Sequence, residues 1–174
     1  MQRISKEKLK QIIRDKGIYI AMIITVIGLI GIPVLFWFAS VIVIGIGTLF
    51  FMFFVSGMLG LIQWKYVKEH INMAYHQFAM YAFVGFGICL VNFILLLNYG
   101  IKINSHSETY TISREGYNDG ILLEGSNEYS ALERNFTTYI GEHPDADSFQ
   151  AEKVTITFNT GLFGFDMISD CKFN

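Results

Sequence analysis

Hydrophobic positions are distributed very unevenly along this chain. No Asp, Glu, Lys or Arg occurs from Gly17 through Trp64, and none occurs from His70 to Ile101, where His70 and His76 interrupt the apolar character. A bilayer core of about 30 Å takes roughly 20 apolar helical residues at about 1.5 Å each. The first stretch is twice too long for one crossing and suits two; the second supplies one more. The pattern predicts three transmembrane helices, over residues 17–39, 41–63 and 79–99. Pro33 is tolerated inside a membrane helix, so aromatic belts set the first turn instead. Phe36, Trp37 and Phe38 mark one interface, and Trp64 with Tyr66 marks the other. A tight turn at Ala39-Ser40 follows. Apolar sequence continues past that point, far beyond the roughly 7–15 residues of a signal peptide core, so the first helix reads as an anchor.

After Ile101 the period changes to two. Val154, Ile156 and Phe158 alternate with Thr155 and Thr157, as on a half-buried strand. Asn159-Thr160-Gly161 reads as a hairpin turn with Gly161 at positive φ, followed by a strand from Leu162. Phe163, Phe165, Met167, Cys171 and Phe173 then share one face, with Asp166, Asp170 and Lys172 on the other. Residues 109–114 and 120–124 form a second expected pair around Asn118-Asp119-Gly120. Residues 135–140 alternate as a further strand, and 126–134 fit either helix or loop. The expected fold is an α+β membrane protein: three transmembrane helices, then a domain of about five strands, barrel-like or sandwich-like, near the lower size limit for independent folding.

Charge fixes the expected orientation. The chain has 174 residues, 52% hydrophobic and 16% charged, with a mean hydropathy of +0.41; soluble domains carry about 25% charged residues. Arg3, Lys6, Lys8, Lys10, Arg14 and Lys16 precede the first helix, and Lys65 and Lys68 lie in the 64–78 loop. Short basic segments stay cytoplasmic, so both are expected inside and residues 101–174 outside, in a plasma or bacterial inner membrane. The 1–16 segment, with Ile4, Leu9, Ile12 and Ile13 among its charges, suits a topology signal or an interfacial helix. The 101–174 domain holds twelve acidic residues against five basic ones, which argues against nucleic acid as a partner.

Candidate chemistry is sparse. Pumps, proton-coupled transporters and voltage sensors need ionisable groups at depth, and the helices carry none. Asn92 is the strong hydrogen-bonding group inside a span, with Asn98 near the outer end. Ser56 with Gly60 and Gly85 with Cys89 have the small-xxx-small spacing of close helix packing. These four positions, Asn92, Ser56, Gly60 and Gly85, are the expected helix–helix contacts. Glu69, His70 and His76 stand at the mouth of helix three, but 70 and 76 are six apart and do not share a helix face. Glu142, His143, Asp145 and Asp147 cluster in one loop that opens like a calcium loop and then lacks its glycine. Cys171 falls on an apolar face, as a buried thiol would. Asn135-Phe136-Thr137 is a glycosylation sequon.

These features predict no catalytic set, cofactor or metal. They suit an accessory, regulatory or assembly subunit of a larger membrane complex, in contact with lipid and with other membrane subunits or itself. The external domain would bind, through Asp166, Asp170 and Lys172. Two other classes stay open: a channel-forming or ligand-sensing homo-oligomer, and a membrane enzyme using Cys171 or the His143 loop.

Overall fold

A computed structural model of the chain describes residues 6–68, 73–113, 122–124, 131–142 and 151–174, with the backbone alone for 6–15 and 67. Three helical stretches are long and apolar enough to cross a membrane: Lys16–Val41, Ile46–Tyr66 and Tyr75–Gly100. Helix α1 (Lys6–Val41) runs unbroken through Pro33. Helix α2 (Ile46–Ile62) is followed by the single turn α3 (Trp64–Val67). The third stretch joins α4 (Tyr75–Met80), a π-helical segment (Tyr81–Gly87) and α5 (Ile88–Gly100).

The chain divides into two compact units. One comprises Met1–Leu35 and Phe50–Phe93, the other Phe36–Leu49 and Ile94–Asn174. In the first unit, missing side chains let the helices meet. A Cβ on Gly28 would overlap the Val84 carbonyl, and one on Gly57 would overlap the Phe83 ring. A Cβ on Gly60 would lie 3.0 Å from that of Ala82. The π segment stands at the centre of these crossings, with Ala82, Gly85 and Gly87 buried. Asn92 Nδ2 donates to the Gly31 carbonyl at 2.9 Å, tying α5 to α1. Bulky residues face outward instead: Ile23, Ile27, Ile30, Phe50, Phe51 and Phe54 are exposed on the helices, while Phe53 leans on Phe83.

The second unit is built on one five-stranded antiparallel sheet, in the order β1-β5-β4-β2-β3. Its strands are β1 (Ile42–Val43), β2 (Lys102–Ser113), β3 (Leu122–Glu124), β4 (Lys153–Gly161) and β5 (Asp166–Phe173). Helix α6 (Ala131–Glu142) sits on one face of this sheet. There Phe136 joins Ile112, Leu123, Val154, Ile156 and Phe158 in the core, flanked by Leu132 and Ile140. The 132, 136, 140 spacing is that of one helix face. Among the described residues there is one sheet and a helix, in place of a sandwich, and no pairing closes β3 onto β1 as a barrel requires.

Several sequence expectations change. The turn expected at Ala39-Ser40 lies inside α1, which ends at Val41, and α2 begins at Ile46 rather than 41. Between them the β-branched run that starts at Val41, the last residue of α1, leaves the helix: Ile42 and Val43 pair with β5, Ile42 opposite Met167 and Val43 opposite Asp166. Such residues pack well on a pleated sheet and poorly in a helix. Residues 75–78, expected in a loop, are helical. Residues 135–140, expected as a strand, belong to α6. The β4–β5 turn spans 161–165, closed by Gly161 N to Phe165 O and Gly164 N to Gly161 O, both 3.0 Å. Gly164, not Gly161, takes the positive φ, at 81°.

The grouping of strand faces changes for a separate reason. Thr157 pairs with Asp170 and Phe158 with Ile168, so Ser169 is an extra residue in β5. A bulge shifts the period-two alternation by one residue. Asp166 therefore shares the helix-covered face with Ile168, Cys171 and Phe173, whereas Asp170 and Lys172 lie on the other face with Met167.

Candidate functional site

The sheet's two faces differ in chemistry. On the face away from α6, β2 and β4 place hydroxyls opposite one another. Ser107 Oγ lies 3.1 Å from Thr157 Oγ1, and Thr109 Oγ1 lies 3.1 Å from Thr155 Oγ1. Ser169 Oγ, on the bulge, donates to the Thr157 carbonyl at 3.0 Å. Exposed Asp170 and Lys172 flank this hydroxyl ladder. The result is a polar surface with one acid and one base at fixed positions, suited to hydrogen-bonded and ionic recognition.

On the covered face β2 carries a second polar row. His106, Glu108 and Tyr110 alternate toward one side, and the Tyr110 hydroxyl donates to Glu108 Oε2. His106 Nε2 stands 3.9 Å from Glu108 Oε1, and its ring stacks on Phe158 with centroids 5.2 Å apart. Burial, then the bond and charge of Glu108 and the charge of Asp166, pushes the Tyr110 pKa up. Tyr110 is thus a neutral donor rather than a phenolate. Thr160 Oγ1 donates to Asp166 Oδ1 at 2.6 Å, so that carboxylate is already engaged.

Where the inter-helix connection joins the sheet, α6 supplies a clamp. Arg134 Nη2 donates to the Ala39 carbonyl at 2.7 Å and to the Ile44 carbonyl at 3.1 Å. The last carbonyls of a helix have no intrahelical donor, and a cation suits that negative end. Asn98, fully buried near the end of α5, fixes the β4–β5 turn: its Oδ1 accepts from Phe163 N at 2.9 Å and its Nδ2 donates to Phe165 O at 3.1 Å.

No family model, curated protein or solved structure matches this chain.

The residues expected from sequence are distributed as follows. Asn92, Gly60 and Gly85 lie at helix crossings, Gly85 against Ile24 and Thr25 of α1, and Ser56 is buried in α2. Asp170 and Lys172 stay together on the hydroxyl face, and Asp166 is separated from them by the bulge. Glu142 is exposed at the end of α6; His143, Asp145, Asp147, Glu69, His70 and the 118–120 turn lie outside the described residues. Among the described residues no group of three or more His, Cys, Asp or Glu is placed to hold a metal ion. Cys89 and Cys171 are free thiols. Burial, with the charge of Asp170, pushes Cys171 up to about 12. Asn135 is 3% exposed inside α6, so its sequon has no accessible amide in the folded domain.

Sequence reading missed Arg134, the paired use of Asn98, and the His106 row. The row had a signal, since 106, 108 and 110 follow strand spacing. Arg134 had none, because its partners are backbone carbonyls some ninety residues away.

Proposed function

We propose that this protein is a non-catalytic accessory, regulatory or assembly subunit of a larger membrane complex, with its sheet domain as the binding module. The observation that carries this reading is that the domain has no linker. Strand β2 begins at Lys102, directly after α5 ends at Gly100, and β1 from the α1–α2 connection is itself a strand of the sheet. A domain held by two chain connections and the Arg134 clamp is fixed at the helix ends, where neighbouring subunits would present their own domains. The small residues Gly28, Gly57, Gly60 and Gly85 support the same reading, because they are occupied by helices of this chain and the hydroxyl face is left to bind. A Cys171 nucleophile would need a thiolate, which a pKa near 12 opposes.

Purification in mild detergent followed by mass spectrometry tests the proposal. A hetero-complex of defined stoichiometry is expected; a lone monomer or a pure homo-oligomer overturns it. We place the N-terminus and the 64–78 segment on the cytoplasmic side, and the sheet domain outside in the plasma or bacterial inner membrane. In a chain lacking Cys89 and Cys171, Lys153→Cys is expected to react with an impermeant maleimide on intact cells. Lys6→Cys is expected to react only after permeabilisation, and the reverse pattern inverts the topology.

A further inference from the structure

Turn residues are ordinarily polar or conformationally special, yet the β4–β5 tip reads Gly161-Leu162-Phe163-Gly164-Phe165, with no polar side chain. Leu162 and Phe163 are 41% and 47% exposed. Single exposed apolar residues are common; two in succession on a rigid tip are a different matter. The tip is rigid because the turn is closed by two backbone hydrogen bonds and because Asn98 spends both ends of its amide on Phe163 and Phe165. A Cβ on Gly161 would overlap Asn98, so the tip lies directly on the end of α5. The surroundings match a bilayer interface. Tyr99, next to Asn98, packs edge-on against Trp37 at 5.6 Å, and Phe36, Trp37, Tyr99, Ile101 and Ile103 are exposed. Aromatic side chains with a polar edge collect at the headgroup level. Lys102 is exposed and pairs with Gly161 across the sheet, which sets an ammonium beside the tip where lipid phosphates would lie.

We propose that this tip is a membrane contact of its own: Leu162 and Phe163 seat in the headgroup–acyl boundary of the leaflet at which α1 and α5 end. The occupant is lipid because the tip continues the apolar surface of the helix ends, and the nearby cation suits phosphate. The contact anchors the sheet domain to the bilayer at a point remote in sequence from both chain connections. It rests on reading the three apolar helices as membrane spans.

The test uses the full chain in phosphatidylcholine vesicles, spin-labelled at single cysteines replacing Leu162, Phe163, Ile30 on α1 or Thr157 on the hydroxyl face, with Cys89 and Cys171 changed to Ala. Labels at 162 and 163 are expected to collide with oxygen several-fold more than with a water-soluble nickel chelate, as at 30, while 157 shows the reverse. If 30 is lipid-exposed and 162 and 163 behave like 157, the tip proposal is overturned and the spans stand. Shielding of 162 and 163 from both reagents overturns it equally, because protein then covers the tip. If 30 itself is nickel-accessible, the spans and the tip fail together. Should the cysteine-free chain not fold, Phe163→Trp with Trp37 and Trp64 changed to Phe gives the same reading through quenching by brominated lipid. Unquenched emission there, with the chain in the vesicle, overturns the proposal.

Discussion

Arg134 shows how one side chain can decide a junction that local sequence leaves open. Its guanidinium satisfies the carbonyls of Ala39 and Ile44, and hydrogen bonds from a charged donor contribute about 1.5–3 kcal/mol each. Arg134→Ala is expected to lower unfolding stability by about 2–3 kcal/mol, read as a drop in thermal midpoint in detergent. Arg134→Lys should recover only part of that, since a single ammonium on a shorter reach replaces a planar fork. Cys171 makes a prediction in pH. Its folded pKa, raised to about 12, lies above the value near 8.5 of an unfolded thiol. Above that pH the unfolded chain binds fewer protons than the folded one, so stability is fully present below about 8.5 and falls as pH rises toward 12. Tyr110, also raised, adds to the fall from about pH 10, where an unfolded phenol titrates. Thermal midpoints measured across alkaline pH should decline from about pH 9 in the native chain, with the early part absent in Cys171→Ala. A flat profile to pH 11 in the native chain would contradict the buried thiol.

Elements whose identity rests on local composition were legible, and those that rest on distant partners were not. The three long helices follow from charge-free stretches of bilayer length, and β4 follows from strict alternation at Val154, Ile156 and Phe158. Strand β1 looked like the start of a helix because its partner, Met167, stands far along the chain. Even so, four β-branched residues before Gly45 were a signal for strand. Helix α6 was hidden by Thr137, Thr138 and Tyr139, which favour strands, while Leu132, Phe136 and Ile140 carried the helical period. The bulge at Ser169 left no trace, having no glycine, and it moved Asp166 to the other face. Within the helices the contacts suggest a graded test. Asn92→Leu removes one bond to the Gly31 carbonyl, and such bonds are worth about 0.6–2 kcal/mol in membranes. Gly57→Leu forces a branched side chain into the Phe83 ring, and overpacking of this kind costs about 1–3 kcal/mol or more. Steric trapping or thermal unfolding in micelles should rank Gly57→Leu as the more damaging; the opposite order would mean that the glycine crossings are loose.

For the whole molecule, the main consequence is that the sheet domain and the helix ends are one piece of construction. Deleting residues 101–174 would leave β1 without β5 and the Ala39 and Ile44 carbonyls without Arg134, so lost partner binding in that truncation would not locate the interface. Point changes on the sheet separate recognition from folding. Asp170 and Lys172 are exposed on the hydroxyl face, and surface substitutions of that kind usually change stability by no more than about 0.5 kcal/mol. Asp170→Lys combined with Lys172→Glu keeps the net charge and reverses its local pattern, which should weaken a complementary partner through repulsion. Asp166→Lys is the contrast. Its carboxylate accepts from Thr160 on the helix-covered face beside Ile168, and a longer ammonium side chain would lose that bond and crowd the half-buried position. The double reversal is expected to keep the native thermal midpoint and lose most of the co-purifying partner, while Asp166→Lys loses the midpoint first. Full partner recovery by the folded double variant would remove the hydroxyl face from the interface and leave the exposed apolar helix surfaces to hold the complex.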